Sequence, residues 1–116
     1  MKLIYIAGRF SGENLDEIER NISIAEDAAR IVIQHAPGWL PVVPHSLGRS
    51  FAPGAPLEAG DYEYWCEGTL ELLRRCDAVL AAQGWSLSSG TLLEISEAER
   101  LGIPIYYSAD EFLSEI

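Results

Sequence analysis

Short, β-rich apolar runs alternate with segments of helical period along the whole chain, and this alternation restricts the fold more than any other feature of the sequence. Residues 3–7 read Leu-Ile-Tyr-Ile-Ala, an unbroken apolar run closed by Gly8, the profile of a strand covered on both faces. From Leu15 the apolar positions Leu15, Ile18, Ile22, Ala25, Ala29 and Val32 recur every third or fourth residue, with Glu17, Glu19, Arg20, Glu26 and Arg30 on the other faces. That spacing predicts an amphipathic helix ending before Pro37-Gly38. A second strand is expected over 39–43, stopped by Pro44. Residues 45–60 carry Pro53, Pro56 and the glycines at 48, 54 and 60 without clear period, and read as a long connection of the kind that is functional or mobile. Beyond it the pattern predicts a helix over about 61–75 with Leu70, Leu72 and Leu73 inward, a strand over 77–82 and a loop over 83–89. A helix over 90–101 and a strand over 104–107 follow, and Ser108-Ala109-Asp110-Glu111 is a capping box opening a last helix.

Strands separated by helices must be parallel, and right-handed crossovers put helices on both faces. The expected fold is therefore α/β, a doubly wound parallel sheet of about four or five strands in a three-layer, flavodoxin-like or Rossmann-like sandwich. The 116 residues suit a single domain over 1–116. Ligands of such sheets bind outside the carboxyl ends of the strands, where the strand order reverses. Three segments should meet there: 8–14, 44–60 and the approach to Ser88-Ser89-Gly90-Thr91.

Charge narrows the partners. Eighteen acidic residues against eight basic ones leave a net charge of −10, a field that opposes polymeric nucleic acid and anionic membrane surfaces. Small anions stay compatible, because Arg9 and Arg49 fall on the predicted crevice loops and backbone amides can complete a local anion site. Cys66 and Cys76 lack the spacing of a metal or redox motif, so no metal or cofactor is expected and the thiols suit a reducing, cytoplasmic setting. The apolar start of the chain is too short for a secretory signal, and no segment reaches a membrane span.

Among residues able to carry chemistry, Glu94 stands out. On the helical wheel it falls between Leu101 and Ala98, inside the apolar stripe, in what reads as the first turn of the helix that points at the crevice. There it is either an ionised carboxylate favoured by the helix dipole and available as a nucleophile, or the last member of a capping box Thr91-Leu92-Leu93-Glu94. The loop Gly8-Arg9-Phe10-Ser11-Gly12 offers amides and a hydroxyl to a phosphate, or is simply a glycine turn; it is neither a dinucleotide fingerprint nor a Walker motif. His45 is a candidate ligand contact at the end of the second strand, whereas His35 suits a helix C-terminus. Tyr62, Tyr64, Trp65 and Trp85 can stack on a nucleobase or pack their loops onto the domain. Ser88 and Ser89 can bond a ligand or cap the helix beginning near Gly90.

Together, Ile4-Tyr5-Ile6-Ala7-Gly8, Pro44-His45, Tyr64-Trp65, Arg75-Cys76-Asp77-Ala78-Val79, Ser88-Ser89-Gly90-Thr91-x-x-Glu94 and Gly102-Ile103-Pro104 resemble the nucleoside 2-deoxyribosyltransferase-like superfamily, with small phage and bacterial proteins of unassigned function as the nearest likeness. The resemblance implies that Glu94 attacks C1′ of a 2′-deoxynucleoside or its 5′-monophosphate, with water or a second base resolving the deoxyribosyl ester. It also implies that Gly8, Arg9, Phe10, Ser11 and Gly12 lie near the sugar and any 5′-phosphate, and that the chain forms a homo-oligomer; His45, Trp85, Ser88 and Gly90, which follow strand ends, are expected to contact substrate as well. Two positions depart from the pattern: Thr69 and Ser88 stand where related enzymes carry aspartates. Asp61, Glu63 and Glu67 are the candidates for a second acid, since Asp77 opens its strand at the opposite pole. The alternative is a non-catalytic module for a nucleotide or an ADP-ribose-type ligand.

Overall fold

The computed structural model describes residues 1–51 and 59–116, with backbone alone for 48–51 and 59–62. β1 (Lys2–Ala7) occupies the centre of a four-stranded sheet with β2 (Trp39–Val42), β3 (Ala78–Ala81) and β4 (Ile105–Tyr106), in the order β2-β1-β3-β4. Every pairing is parallel, and Tyr5 stands opposite Val42 on one side and Val79 on the other. The expected doubly wound sheet is thus present among the described residues, with β1 one residue longer than expected at its start and the other three strands trimmed by one residue at one or both ends.

Alternation along β1 assigns the two faces. Ile4 and Ile6 point to one side and pack with Ala25, Ala29 and Val32 of α1 (Leu15–His35) and with Phe112 of α5 (Ala109–Glu115). Tyr5 and Ala7 point to the other, against Leu73 of α3 (Ala59–Arg74) and Ala98 of α4 (Ser89–Leu101). A period of two on the strand thereby produces three layers. Each fully buried side chain of this kind contributes about 1.5–3 kcal/mol, and Phe112 also meets Trp39 edge to face at 5.1 Å.

Local signals set the helix ends. Asn14 caps α1 by accepting from the Glu17 N–H at 2.9 Å, and the Glu17 carboxylate takes the Glu13 N–H at 2.6 Å. Gly102, at φ 72°, closes α4 by donating to Ala98 and Glu99 carbonyls, a left-handed cap that favours glycine. Ser108 caps α5 as its sequence predicts, accepting from the Glu111 N–H at 3.0 Å, while the Glu111 carboxylate reaches back to the Tyr107 N–H.

Several expectations are corrected. The apolar stripe of α1 begins at Ile18 rather than Leu15, which is 57% exposed. Residues 44–51, read as the start of a long irregular connection, form a helix, α2 (Pro44–Phe51). Its eight residues span little more than two turns, too few for a period to show, and Pro44 suits a first helical position because its missing N–H is not needed there. Pro53 and Pro56 lie outside the described residues.

Candidate functional site

The order β2-β1-β3-β4 reverses direction between β1 and β3, and an open cavity of about 400 Å³ lies at the carboxyl ends of those strands. β1 contributes Tyr5 and, past its end, Gly8, Arg9, Phe10 and Ser11; the start of α2 contributes Pro44 and His45. Trp65, Cys66, Thr69 and Leu70 of α3 form a second wall, and Leu87, Ser88, Ser89, Gly90, Leu93 and Glu94 a third. The size falls in the range of about 300–1,000 Å³ typical of small-molecule sites.

Glu94 is the only carboxylate among the described lining residues. Its Oε2 accepts a hydrogen bond from the Tyr5 hydroxyl, so a β1 side chain on the α3/α4 face of the sheet holds the acid from below. Burial pushes the Glu94 carboxyl up to about 7, and the Tyr5 bond offsets part of that rise. Burial likewise drives the Tyr5 hydroxyl far above its ordinary range, with the adjacent Glu94 charge adding to the effect and the Thr69 hydroxyl opposing it. The Thr69 hydroxyl itself donates to the Cys66 carbonyl at 3.2 Å.

The capping-box interpretation of Glu94 fails. Ser88, not Thr91, caps α4, its Oγ accepting from the Thr91 N–H at 3.2 Å. Glu94 therefore sits in the second turn, beyond the strongest part of the helix dipole, and burial outweighs the expected stabilisation of its charge. Thr91 is fully buried and its Oγ1 has no hydrogen-bond partner among the described residues.

His45, only 4% exposed, places Nε2 2.9 Å from the Gly8 carbonyl. A carbonyl only accepts, so Nε2 carries the proton and donates. Burial lowers the pKa of this ring, against weaker opposing bonds to the Gly8 and Arg9 backbone. In the neutral ring Nδ1 is then a buried acceptor without a hydrogen-bond partner among the described residues. Gly8 must be small here: a Cβ would come 3.1 Å from the Ala82 Cβ and 3.6 Å from His45 Nε2. The loop after it is pinned by Asn21, whose Nδ2 donates to the Phe10 and Ser11 carbonyls at 3.3 and 3.1 Å. Arg9 Nε donates to the Ser11 carbonyl at 3.1 Å.

Of the residues singled out in the sequence, Gly8, Arg9, Phe10, Ser11, His45, Trp65, Thr69, Ser88, Ser89, Gly90 and Glu94 come together around this cavity, and Gly12 and Trp85 do not. A Cβ at Gly12 would lie 2.6 Å from the Glu17 Cβ, so this glycine serves the close approach of the loop to α1. Trp85 packs on Tyr107, ring centroids 5.0 Å apart, and Tyr64 packs edge to face on Trp65. Glu63 and Glu67 are exposed and off the cavity wall. Asp77 binds the Leu3 N–H at 2.8 Å, at the other pole of the sheet. The side chains of Arg49, Asp61 and Tyr62 lie outside the described residues. Sequence reasoning passed over Tyr5, Trp65's neighbours Cys66 and Leu70, and Leu93. For Tyr5 a signal existed, a hydroxyl in the middle of an otherwise aliphatic central strand. Among the described residues no three His, Cys, Asp or Glu side chains gather as a metal site requires, and no helix is long and apolar enough to cross a membrane.

Comparison with known proteins adds two findings. The model of a domain family of unknown function, DUF7768, matches residues 2–108. In structure, the chain is similar to a 2-deoxyribosyltransferase from the psychrotolerant bacterium Bacillus psychrosaccharolyticus, with a TM-score of 0.56 and 20% sequence identity over 89% of this chain and 69% of that one. At that identity the likeness is one of fold. No curated protein matches the sequence.

Proposed function

The chain belongs to the DUF7768 family of domains of unknown function, and from that premise we propose that it cleaves the N-glycosidic bond of 2′-deoxynucleosides or their 5′-monophosphates, with Glu94 as nucleophile. The observation that carries this reading is the Glu94 carboxylate on the wall of a nucleotide-sized cavity at the strand switch point, oriented by the Tyr5 hydroxyl. A carboxylate so held attacks C1′ as the base departs, stabilises the oxocarbenium-like transition state, and leaves a glycosyl ester for water to resolve. The Tyr5 bond opposes rotation of the carboxylate, and burial raises its basicity, both of which favour a nucleophile.

Arg9, Ser11, Ser88, Ser89 and Gly90, the last two at the start of α4, also line the cavity, residue types suited to a 5′-phosphate. This favours hydrolysis of a monophosphate over base exchange. Leu87 and Leu93, at the cavity wall yet 77% and 56% exposed, support a homo-oligomer that closes over the mouth. A cytoplasmic setting accords with the two free thiols.

The test is incubation with 2′-deoxynucleosides and 5′-monophosphates bearing purine, pyrimidine and pyridine bases, followed by chromatography of the free base. Release that disappears in Glu94→Gln is expected; no release from any member overturns the proposal. One observation favours a second reading, a non-catalytic nucleotide or ADP-ribose-type binding module: Thr69 turns its hydroxyl onto the Cys66 carbonyl, where the resembled enzymes carry an aspartate. Tight binding with ligand recovered unchanged would support it.

A further inference from the structure

We propose that the preferred substrates are N-glycosides whose heterocycle is positively charged, pyridinium or N7-alkylpurine nucleotides, so that the base leaves neutral and needs no proton. The inference rests on the glycosidic role of Glu94 and narrows it to a chemical class.

An ordinary purine or pyrimidine departs as a poor, anionic leaving group unless an acid protonates its ring. The described lining groups that hold an ionisable proton are poorly placed for that task. Glu94 must be ionised to attack. The Tyr5 hydroxyl proton is committed to Glu94, and the single ring proton of His45 is committed to the Gly8 carbonyl. Arg9 gives up no proton, and the Cys66 thiol is a weak hydrogen-bond donor.

The cavity also carries positive indications of a cationic guest. Glu94 is held by a neutral hydroxyl, and no cation among the described residues is paired with it. A buried charge in that condition gains most from a cation brought by the ligand. Phe10 and Trp65 bring aromatic rings to the same cavity, which suits a delocalised heterocyclic cation better than a hydrated ammonium. Because the cationic base offsets part of the phosphate charge, the net charge of −10 opposes such a nucleotide less than its neutral-base counterpart.

The step balances without an added acid. A Glu94 oxygen bonds to C1′ while the C1′–N bond breaks, and its electron pair returns to the ring nitrogen, which becomes neutral. Water then bonds to C1′, the ester C–O bond breaks to restore the carboxylate, and the proton of the water passes to solvent.

Release of base by the purified chain from N7-methylguanosine 5′-monophosphate and guanosine 5′-monophosphate tests the charge directly. Nicotinamide mononucleotide and uridine 5′-monophosphate form a second pair, all four also in 2′-deoxy form, with spontaneous loss subtracted. The charged members are expected to turn over at least about 100-fold faster than their neutral partners, with all release abolished in Glu94→Gln. Calorimetry is expected to show nicotinamide mononucleotide binding that variant at least about tenfold more weakly than wild type, with uridine monophosphate little changed. A melting curve checks its fold, and Glu94→Asp is the second variant should it fail. Neutral members cleaved within tenfold of the charged ones would overturn the charged-base class and leave the glycosidic reading standing. No base from any member overturns both.

Discussion

The two faces of the sheet are built from one strand and do different work. Behind β1, Ile4 and Ile6 meet Ala25, Ala29, Val32 and Phe112, an aliphatic and aromatic layer without a charged group. In front, the same strand presents Tyr5, whose fully buried ring packs with Leu73 and Val79 while its hydroxyl holds a carboxylate at the edge of a cavity. The rear face gains from close packing, whereas the front face tolerates a desolvated acid and an open volume. Stability and reactivity are thereby separated by one residue of register.

Substitutions on the two faces should therefore fail in different ways. The largest expected effect is on the front: Glu94→Gln should cut base release about 10⁴-fold with the fold retained, measured by turnover beside a melting curve. On the rear, Phe112→Ala should cost about 3–5 kcal/mol in urea unfolding while ligand affinity of the folded fraction stays unchanged. A loss of activity in that variant beyond its unfolded fraction would break the separation.

The pH dependence sharpens the contrast. The folded Glu94 carboxyl sits at about 7, above its unfolded value of about 4.3, so the folded state binds the proton more tightly. Stability attributable to this group is fully present below about 4.3 and falls by roughly 4 kcal/mol as pH rises through 7. Glu94→Gln should flatten that decline, and activity, needing the carboxylate, should rise across the same window. Tyr5→Phe should lower turnover by about tenfold and move the rising limb of the pH–rate profile upward, because the lost hydrogen bond favours the ionised form. The smallest effect belongs to Ser88→Ala, which removes the cap of α4 and should cost about 1 kcal/mol.

Much of the fold was legible in the order of residues. The continuous apolar run before Gly8 has no polar alternation, which only a strand covered on both faces explains, and β1 is that strand. Ser108 announced the start of α5 because capping is a local hydrogen bond between near neighbours. α2 was illegible because eight residues hold too few turns to display a period. Thr91 misled for a related reason, since Ser88 and Thr91 both fit the chemistry of a cap and the choice between them depends on where the chain leaves β3.

The candidate site divides in the same way. Glu94 was legible as a carboxylate inside an apolar stripe, and Gly8 to Ser11, His45, Ser88 and Gly90 as residues after strand ends. Tyr5 showed only as a hydroxyl inside an apolar strand, which looks like packing until that hydroxyl is seen to end at Glu94, 89 residues along the chain. By itself the sequence determined the periodicities and the cap of α5, consequences of residues within a few positions of one another, and through the alternation of strands and helices the parallel layering. Only the tertiary structure decided that Tyr5 meets Glu94, that burial outweighs the dipole at that acid, and that Gly12 and Trp85 stand off the cavity. Those depend on distances between remote segments and on exclusion of water, which no local pattern encodes.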